Sequence, residues 1–167
     1  MEVWQVVEES RTLRWMTPAM NATFIALIPK EAQSNTPDKY RPISLCNVMY
    51  KIVSKIVASR LKPLLPFLIS LEQSGYVEGR QITDGIILAH EIIHSLKNSK
   101  RSGMLLKIDL SKAFDSLSWV YIQKILISFG FSIAWTCWVM SLISSYFFSI
   151  LINGIPSSPF QPSRGIR

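Results

Sequence analysis

Two short patterns in the sequence carry residue types that could do chemistry. The first is His90-Glu91-Ile92-Ile93-His94, which matches the H-E-x-x-H zinc peptidase pattern and would place both imidazoles on one helical face. The second is the segment Lys107–Asp115, in which an apolar run reaches Asp109 and another carboxylate follows at Asp115. An acid at the end of a buried strand, next to a turn, is a natural position for a catalytic group.

The zinc pattern lacks a residue that would complete it. A catalytic zinc needs a third protein ligand, yet after His94 the chain contains no histidine or glutamate, only Asp109 and Asp115 as carboxylates. The apolar spacing around the pattern is that of an ordinary amphipathic helix with histidines on its surface. A zinc peptidase is therefore an outside alternative.

Apolar spacing and turn residues predict the elements that position these patterns. Helices are predicted at Glu2–Leu13, Val48–Leu61, Ile82–Leu96 and Ile133–Ser144, together with one capped by Ser111 that carries Phe114, Leu117, Trp119 and Ile122. Strands are predicted at Thr23–Ile28 and Met104–Leu110, and Ser149–Phe160 is predicted to form a hairpin that turns at Asn153-Gly154.

Length and charge narrow the class of protein. The 167 residues suffice for one compact domain, and 49% hydrophobic against 17% charged residues excludes disorder for most of the chain. Lys and Arg exceed Asp and Glu by 18 to 11, a net charge of +7 that favours polyanionic partners such as nucleic acid. Cys46 and Cys137 have no spacing that would hold a metal, and the N-terminus shows no secretory signal.

The residues between Ile125 and Gln161 include no charged side chain. This length could cross a bilayer, but the segment contains several serines and a strand-like stretch before Asn153-Gly154. We expect a buried core rather than a membrane helix.

A basic region lies between Lys39 and Lys62, where six basic residues occur without an acid. Lys51, Lys55 and Lys62 fall on the polar side of the predicted helix. Spacing alone leaves two interpretations open, a solvated helix face and a face that contacts phosphates.

The segment Lys107–Asp115, closed by Trp119, resembles motif A of reverse transcriptases. The chain as a whole resembles reverse transcriptases of LINE-type, non-LTR retrotransposons, because further blocks occur in that family's order. These blocks are Ile25–Lys30, Tyr40–Val48, Lys51–Lys62, Gln73–Val77, Gly79-Arg80, Thr83-Asp84, Leu151–Gly154 and Pro162–Arg167. Ordered blocks are far more specific than one short pattern.

The resemblance implies an α+β fold of the right-hand polymerase type. It would comprise fingers and an incomplete palm, with a small antiparallel sheet packed on helices. The family's arrangement divides the chain into a fingers-like segment at residues 1–79 and a partial palm at residues 80–167 that contains motif A.

The resemblance also implies RNA-directed DNA synthesis, in which two magnesium ions assist transfer of a deoxynucleotide to a primer. Asp109 would be the first metal-binding aspartate, and the backbone carbonyl of Leu110 would add a ligand to Mg²⁺, with Mn²⁺ as a substitute. Phe114 matches the aromatic that lies under the sugar and excludes a 2′-hydroxyl. Periodicity alone would make Phe114 a core aromatic.

Other positions match residues that contact substrate in the family. Lys30 and Arg41 match finger residues that contact the nucleotide triphosphate. Gln73, Gly79 and Arg80 match a loop near the template strand, whereas Lys51, Lys55 and Lys62 could follow backbone phosphate without sequence preference. The partners implied are an RNA template, a DNA primer and deoxynucleoside triphosphates, with nuclear localisation, no membrane and an open oligomeric state.

The Gln-Gly-Asp-Pro and Tyr-x-Asp-Asp blocks of the family do not occur in the sequence. We therefore expect one family carboxylate where polymerisation needs more, and no activity from this chain alone. The leading alternative is a noncatalytic protein that retains nucleic-acid binding.

Overall fold

A computed structural model describes residues 2–100, 102–110 and 112–166, whose regular elements are eight α-helices, two short 3-10 helices and one small sheet. The helices are α1 (Val3–Leu13), α2 (Pro18–Asn21), α3 (Val48–Leu61), α4 (Leu65–Leu68), α5 (Ile82–Asn98), α6 (Ala113–Ser116), α7 (Trp119–Ser128) and α8 (Ile133–Ser144). The strands are β1 (Thr23–Pro29), β2 (Tyr40–Cys46), β3 (Phe148–Ile152) and β4 (Ile155–Pro156). Ser111, the predicted helix cap, and Arg167, the end of the last sequence block, lie outside the described residues.

The four strands are ordered β2-β1-β3-β4. β1 pairs antiparallel with β2 and parallel with β3, and β3 pairs antiparallel with β4. The sheet is thus mixed, whereas a small antiparallel sheet was expected, because β1 and β3 run in the same direction. The predicted α+β class is confirmed.

The hairpin between β3 and β4 turns where the sequence predicts. Asn153 and Gly154 both have positive φ, +52° and +83°, as a two-residue hairpin turn of type I′ requires. The predictions of α1, β1, α3, α5 and α8 are also confirmed within a few residues.

Strand β2 is an element that the sequence analysis did not predict. It contains Pro42, which lacks a backbone N–H and usually argues against a strand. β2 lies at the edge of the sheet, where one side has no partner strand, so a proline is tolerated there.

The chain divides into two compact units, one of Met1–Ile56 with Lys112–Arg167 and one of Val57–Ser111. These units reflect packing, whereas the division at residues 79 and 80 into fingers and palm is functional. The functional division stays a prediction.

The first unit has a core built mainly around α8. Trp138 and Leu142 on this helix are buried, as are Met16, Val53 and Tyr146 from other parts of the same unit. The Trp138 indole N–H donates to the Ser10 hydroxyl of α1 at 2.8 Å, which satisfies a buried donor.

The uncharged segment after Ile125 thus contributes to a protein core, as expected. Ser132 caps α8 by accepting a hydrogen bond from the backbone N–H of Trp135 at 3.3 Å. Within the described part of the chain, none of the helices combines the length and the apolar character that a membrane span requires.

The second unit is more open. α5 has no buried residue, and residues 102–110 that follow it have no regular secondary structure. The predicted strand Met104–Leu110 is therefore wrong. An extended run needs a neighbouring strand for its backbone hydrogen bonds, and no described strand pairs with this one.

The helix predicted to carry Phe114 through Ile122 is interrupted. α6 ends at Ser116, and Leu117 adopts an extended conformation with ψ of 123° before α7 begins at Trp119. Phe114 and Trp119 consequently lie on separate helices and face different neighbours.

Asn21 provides a test of the first unit's packing. Its buried amide donates to the Ser145 hydroxyl at 2.7 Å and to the Leu142 carbonyl at 3.4 Å. We expect Asn21→Ala to lower the free energy of unfolding by about 1–3 kcal/mol, because buried polar partners lose their donor. Urea unfolding followed by circular dichroism measures this change.

The matched control is Asn98→Ala at the exposed end of α5. It should change the free energy of unfolding by no more than about 0.5 kcal/mol. Equal effects of the two substitutions would contradict a stabilising role for the Asn21 contacts.

Candidate functional site

An open groove of about 750 Å³ lies entirely within the first unit. Its walls come from the sheet, from α6 and from the segment Pro162–Ile166. The lining residues are Ile25, Pro42, Ser44, Phe114, Asp115, Tyr146, Phe148, Phe160, Pro162, Ser163, Arg164, Gly165 and Ile166. The groove combines an apolar floor with a few polar groups, which is typical of small-molecule sites.

Phe114 stands at one wall of this groove. It belongs to α6, a single helical turn that begins after Lys112, whose φ is +51°. The ring is 59% exposed, so Phe114 is not a core aromatic as periodicity alone would have it. An exposed aromatic in a groove is available to contact a ligand.

The segment Pro162–Ile166 is fastened to α6 through its backbone. The Gly165 N–H donates to the Leu117 carbonyl at 2.8 Å, and the Ile166 N–H donates to the Phe114 carbonyl at 3.0 Å. These bonds hold two walls of the groove together.

Gly165 allows the two backbones to approach this closely. Its φ is +88°, and a Cβ at this position would lie 2.9 Å from the Asp115 carbonyl oxygen. Any other L-residue would combine backbone strain with a collision against main-chain atoms.

The sheet presents alternate residues to the groove. Ile25 and Ser44 are register partners and both line it. Arg41, the register partner of Ile28, is adjacent in sequence to Pro42, which lines the groove. Because neighbouring residues of a strand point to opposite faces, Arg41 lies on the face of the sheet away from the groove. The predicted triphosphate contact of Arg41 stays a prediction.

Lys30 closes the loop between β1 and β2. Its ammonium donates to the Asp38 carbonyl at 2.7 Å, and its backbone N–H donates to the Lys39 carbonyl at 2.8 Å. Lys39 in turn lies 3.5 Å from the Glu31 carboxylate. The structure thus places Lys30 on the hairpin rather than in the groove.

Asp109 and Leu110 belong to the second unit, in the irregular segment after α5. Both residues are exposed, and the Leu110 side chain is 75% accessible. Among residues 2–100, 102–110 and 112–166, no group of three or more His, Cys, Asp or Glu side chains could hold a metal ion. Asp109 offers a carboxylate oxygen, which is a suitable ligand type, but the described residues bring too few further ligands to it.

Arg80 holds the loop before α5 together. Its guanidinium donates to the carbonyls of Ile69 at 3.0 Å and Gln73 at 2.8 Å, with further bonds to Pro66 and Ser70. Several hydrogen bonds to one charged donor give Arg80 a structural role in this unit. Gly79, with φ of +79°, precedes it.

Glu72 lies in the same loop. The pKa of the Glu72 carboxyl is lowered chiefly by hydrogen bonding from its own backbone N–H, then by the Ser70 hydroxyl and the Arg80 charge. Its ionised form therefore favours the folded loop, so this contribution is present above the carboxyl's ordinary pKa and is lost as the pH falls through the lowered value.

The basic residues of α3 are accessible. Lys51 and Lys55, one helical turn apart, are both exposed. Lys62 lies 3.1 Å from the Glu78 carboxylate, so its charge is partly compensated by a surface pair.

The histidine pattern on α5 is not assembled into a metal site. His90 and His94 are exposed, and the His94 ring lies 3.3 Å from the Asn98 amide. No described acid, cysteine or histidine joins them to form a group of three ligands.

Comparison with protein families decides the class of protein. A family model described as reverse transcriptase (RNA-dependent DNA polymerase) matches residues 28–166, most of the chain. The protein belongs to this family. The family match confirms the resemblance to reverse transcriptases that the sequence blocks indicated. It offers no support for a zinc peptidase.

The relatives found are proteins of transposable elements. The chain is 30% identical over 143 residues to the Transposon TX1 uncharacterized 149 kDa protein of Xenopus laevis, with 86% of this chain and 11% of that protein covered. It is 27% identical over 140 residues to the Retrovirus-related Pol polyprotein from type-2 retrotransposable element R2DM of Drosophila melanogaster, with 84% and 13% covered. A protein with the same Pol polyprotein description, from type-1 retrotransposable element R2 of Popillia japonica, is 27% identical over 94 residues, 55% of this chain and 13% of that protein.

The chain thus spans between 11% and 13% of the length of these curated relatives. Together with the family match, these relatives support a reverse transcriptase region of the non-LTR, LINE type. The reverse transcriptase family generally uses divalent metal ions and binds a nucleic-acid template and primer.

Gly165 provides a test of the groove wall. We expect Gly165→Ala to lower the free energy of unfolding by about 2–4 kcal/mol, since positive φ strain adds to the collision with the Asp115 carbonyl. Urea unfolding measures the loss.

Gly154→Ala is the matched control, because its φ of +83° is similar but no atom lies within 4 Å of the added Cβ. It should cost only about 1 kcal/mol, the backbone strain alone. If the two variants lose the same free energy, the close approach at Gly165 does not matter.

Proposed function

We propose that the groove of the first unit receives a deoxynucleoside triphosphate for RNA-directed DNA synthesis. The observation that carries this proposal is the position of Phe114, exposed at the groove wall, where the family resemblance expects the aromatic under the sugar. A ring in van der Waals contact with the sugar leaves no room for a 2′-hydroxyl, so it selects deoxynucleotides by shape.

One cationic residue of the groove, Arg164, supports a triphosphate ligand, although the Asp115 carboxylate also lines the groove. Arg164 lines the groove, and a guanidinium suits bidentate phosphate contact. We propose that Lys30 and Arg41 on the β1–β2 hairpin contribute to phosphate binding from outside the groove. The Lys30 ammonium already donates to the Asp38 carbonyl, and Arg41 lies on the sheet face opposite the groove, so this contribution is weaker than that of Arg164.

The divalent ion proposed is Mg²⁺, with Mn²⁺ as a substitute, because the candidate ligands are hard oxygen atoms. Asp109 and the Leu110 carbonyl would supply two of them. The described residues do not bring further carboxylates to Asp109, and these residues alone do not fit a two-metal centre. Bound metal in the family supplies charge stabilisation at the transferred phosphoryl group.

The template and primer are proposed to lie along basic surfaces of each unit. Lys51 and Lys55 are free to approach phosphates, and Gln73 and Gly79 belong to the loop that Arg80 organises. Arg80 and Lys62 act mainly within the protein, so we assign them supporting roles. Work on chromosomal targets in the nucleus is part of the same proposal, which rests on the family.

Replacement of Phe114 tests the nucleotide proposal. Equilibrium dialysis of the chain with labelled dATP or ATP, in Mg²⁺, gives two dissociation constants that differ only through the 2′-hydroxyl. We expect dATP to bind more tightly, and Phe114→Val to reduce the ratio of the two constants by about tenfold, toward one, through tighter ATP binding.

The matched control is Phe24→Val, since Phe24 is similarly exposed at 48% but lies on the sheet face opposite Ile25. It should leave the ratio unchanged. Failure of the unsubstituted chain to bind dATP would refute the proposal.

A noncatalytic nucleic-acid-binding role is the second candidate, favoured by the adjacent exposed charges of Lys51 and Lys55. We expect binding to an RNA–DNA duplex to weaken as salt rises, and Lys51→Gln with Lys55→Gln to reduce the log–log slope by about one to two. The charge-matched double control is Lys97→Gln with Lys124→Gln, at exposed positions outside α3.

Primer extension separates the two candidates. Duplex binding without incorporation of deoxynucleotides, together with no dATP binding, would favour the noncatalytic role. Incorporation that Asp109→Ala abolishes would show instead that the missing carboxylates are supplied by another molecule, such as a second copy of the chain.

A further inference from the structure

We propose that Trp119 and Tyr146 are positioning residues that set the sugar discrimination of the groove. They act by holding the Gly165 carbonyl and, through it, the wall that carries Phe114. This inference rests on the proposed nucleotide function and deepens it. Neither residue was assigned a role from the sequence, where Trp119 only closed the motif A block.

The Gly165 carbonyl is the point at which three parts of the chain meet. It accepts a hydrogen bond from the Trp119 indole N–H at 2.7 Å and another from the Tyr146 hydroxyl at 3.2 Å. A carbonyl oxygen has two lone pairs, so both donors can be accommodated at once. The peptide group of Gly165 is thereby fixed on its carbonyl side.

The two donors are themselves held firmly. Tyr146 is 2% exposed, and its ring lies edge-on to Trp119 with a centroid separation of 6.1 Å. Phe148 also packs against Tyr146, with ring centroids 4.8 Å apart. The rings thus form a rigid base beneath the groove wall.

Gly165 transmits this support to Phe114 through the backbone. The next residue, Ile166, donates its N–H to the Phe114 carbonyl, and the Gly165 N–H donates to the Leu117 carbonyl at the end of α6. α6 contains only four residues, and a single helical turn is not stable on its own. The position of Phe114 therefore depends on these contacts from Pro162–Ile166.

A looser wall would affect the two nucleotide types unequally. A ring that can move aside makes room for a 2′-hydroxyl, so ribonucleotide binding should improve. A deoxynucleotide needs no such movement, and its binding should change little. Discrimination is a difference between two affinities, so it reports the position of Phe114 separately from overall folding.

The test measures dATP and ATP binding by equilibrium dialysis in Mg²⁺. It compares the unsubstituted full chain with two single variants, Trp119→Phe and Tyr146→Phe. Each substitution removes one donor and keeps an aromatic ring. We expect each to lower the ratio of the ATP to the dATP dissociation constant by about two- to tenfold, the range of one lost hydrogen bond. The dissociation constant of dATP should change by less than about twofold, which is less than one lost hydrogen bond would cause.

Two conservative substitutions elsewhere serve as controls. Trp135→Phe alters a half-buried indole that stacks on Phe131 at 4.3 Å, and Tyr121→Phe removes an exposed hydroxyl. Both should leave the ratio unchanged. Urea unfolding confirms that every variant compared is folded. If one donor variant does not fold, the other still tests the inference.

The outcomes separate the inference from the proposed function. A ratio that responds to Phe114→Val but not to either donor variant overturns the inference and leaves the nucleotide function intact. Equal losses of dATP and ATP affinity also overturn it, because they indicate a general structural role. Absence of dATP binding by the unsubstituted chain overturns both.

Discussion

The parallel pairing of β1 with β3 is the constraint on which the first unit depends. It joins Thr23–Ala26 to Phe148–Leu151, more than 120 residues apart, and extends through a 2.9 Å hydrogen bond from the Thr23 N–H to the Phe147 carbonyl. Closing so long a loop costs conformational entropy, which the buried packing around α8 offsets. β2 and the segment Pro162–Ile166 both line the groove of the unit that this pairing joins.

The groove shows how a site can be built from weak local elements. α6 is one turn long, and the segment Pro162–Ile166 has no helix or strand of its own. Backbone hydrogen bonds between them, and two aromatic donors on Gly165, supply the order that neither segment has alone. Preorganisation of this kind is what discrimination by shape requires.

The second unit differs because the apolar residues between Met104 and Leu110 are not covered. Met104 is 94% exposed, and Leu105, Leu106, Ile108 and Leu110 are each at least 70% exposed, although the sequence of this segment is typical of a buried strand. Contiguous apolar surface of this kind marks an interaction site or a tendency to associate. This run overlaps the segment Lys107–Asp115 that resembles motif A, and a strand here would require neighbouring strands that the described residues do not supply.

The sequence by itself determined the family, the amphipathic helices and the hairpin at Asn153-Gly154, because these depend on local periodicity, turn residues and ordered blocks. It did not predict β2, since Pro42 is acceptable only at a sheet edge and an edge is a property of the whole sheet. Only the tertiary structure decided that Met104–Leu110 is irregular, that Arg80 binds carbonyls and that Gly165 anchors the groove wall. Each of these depends on a partner distant in sequence, or on the absence of one among the described residues, and no local pattern records that.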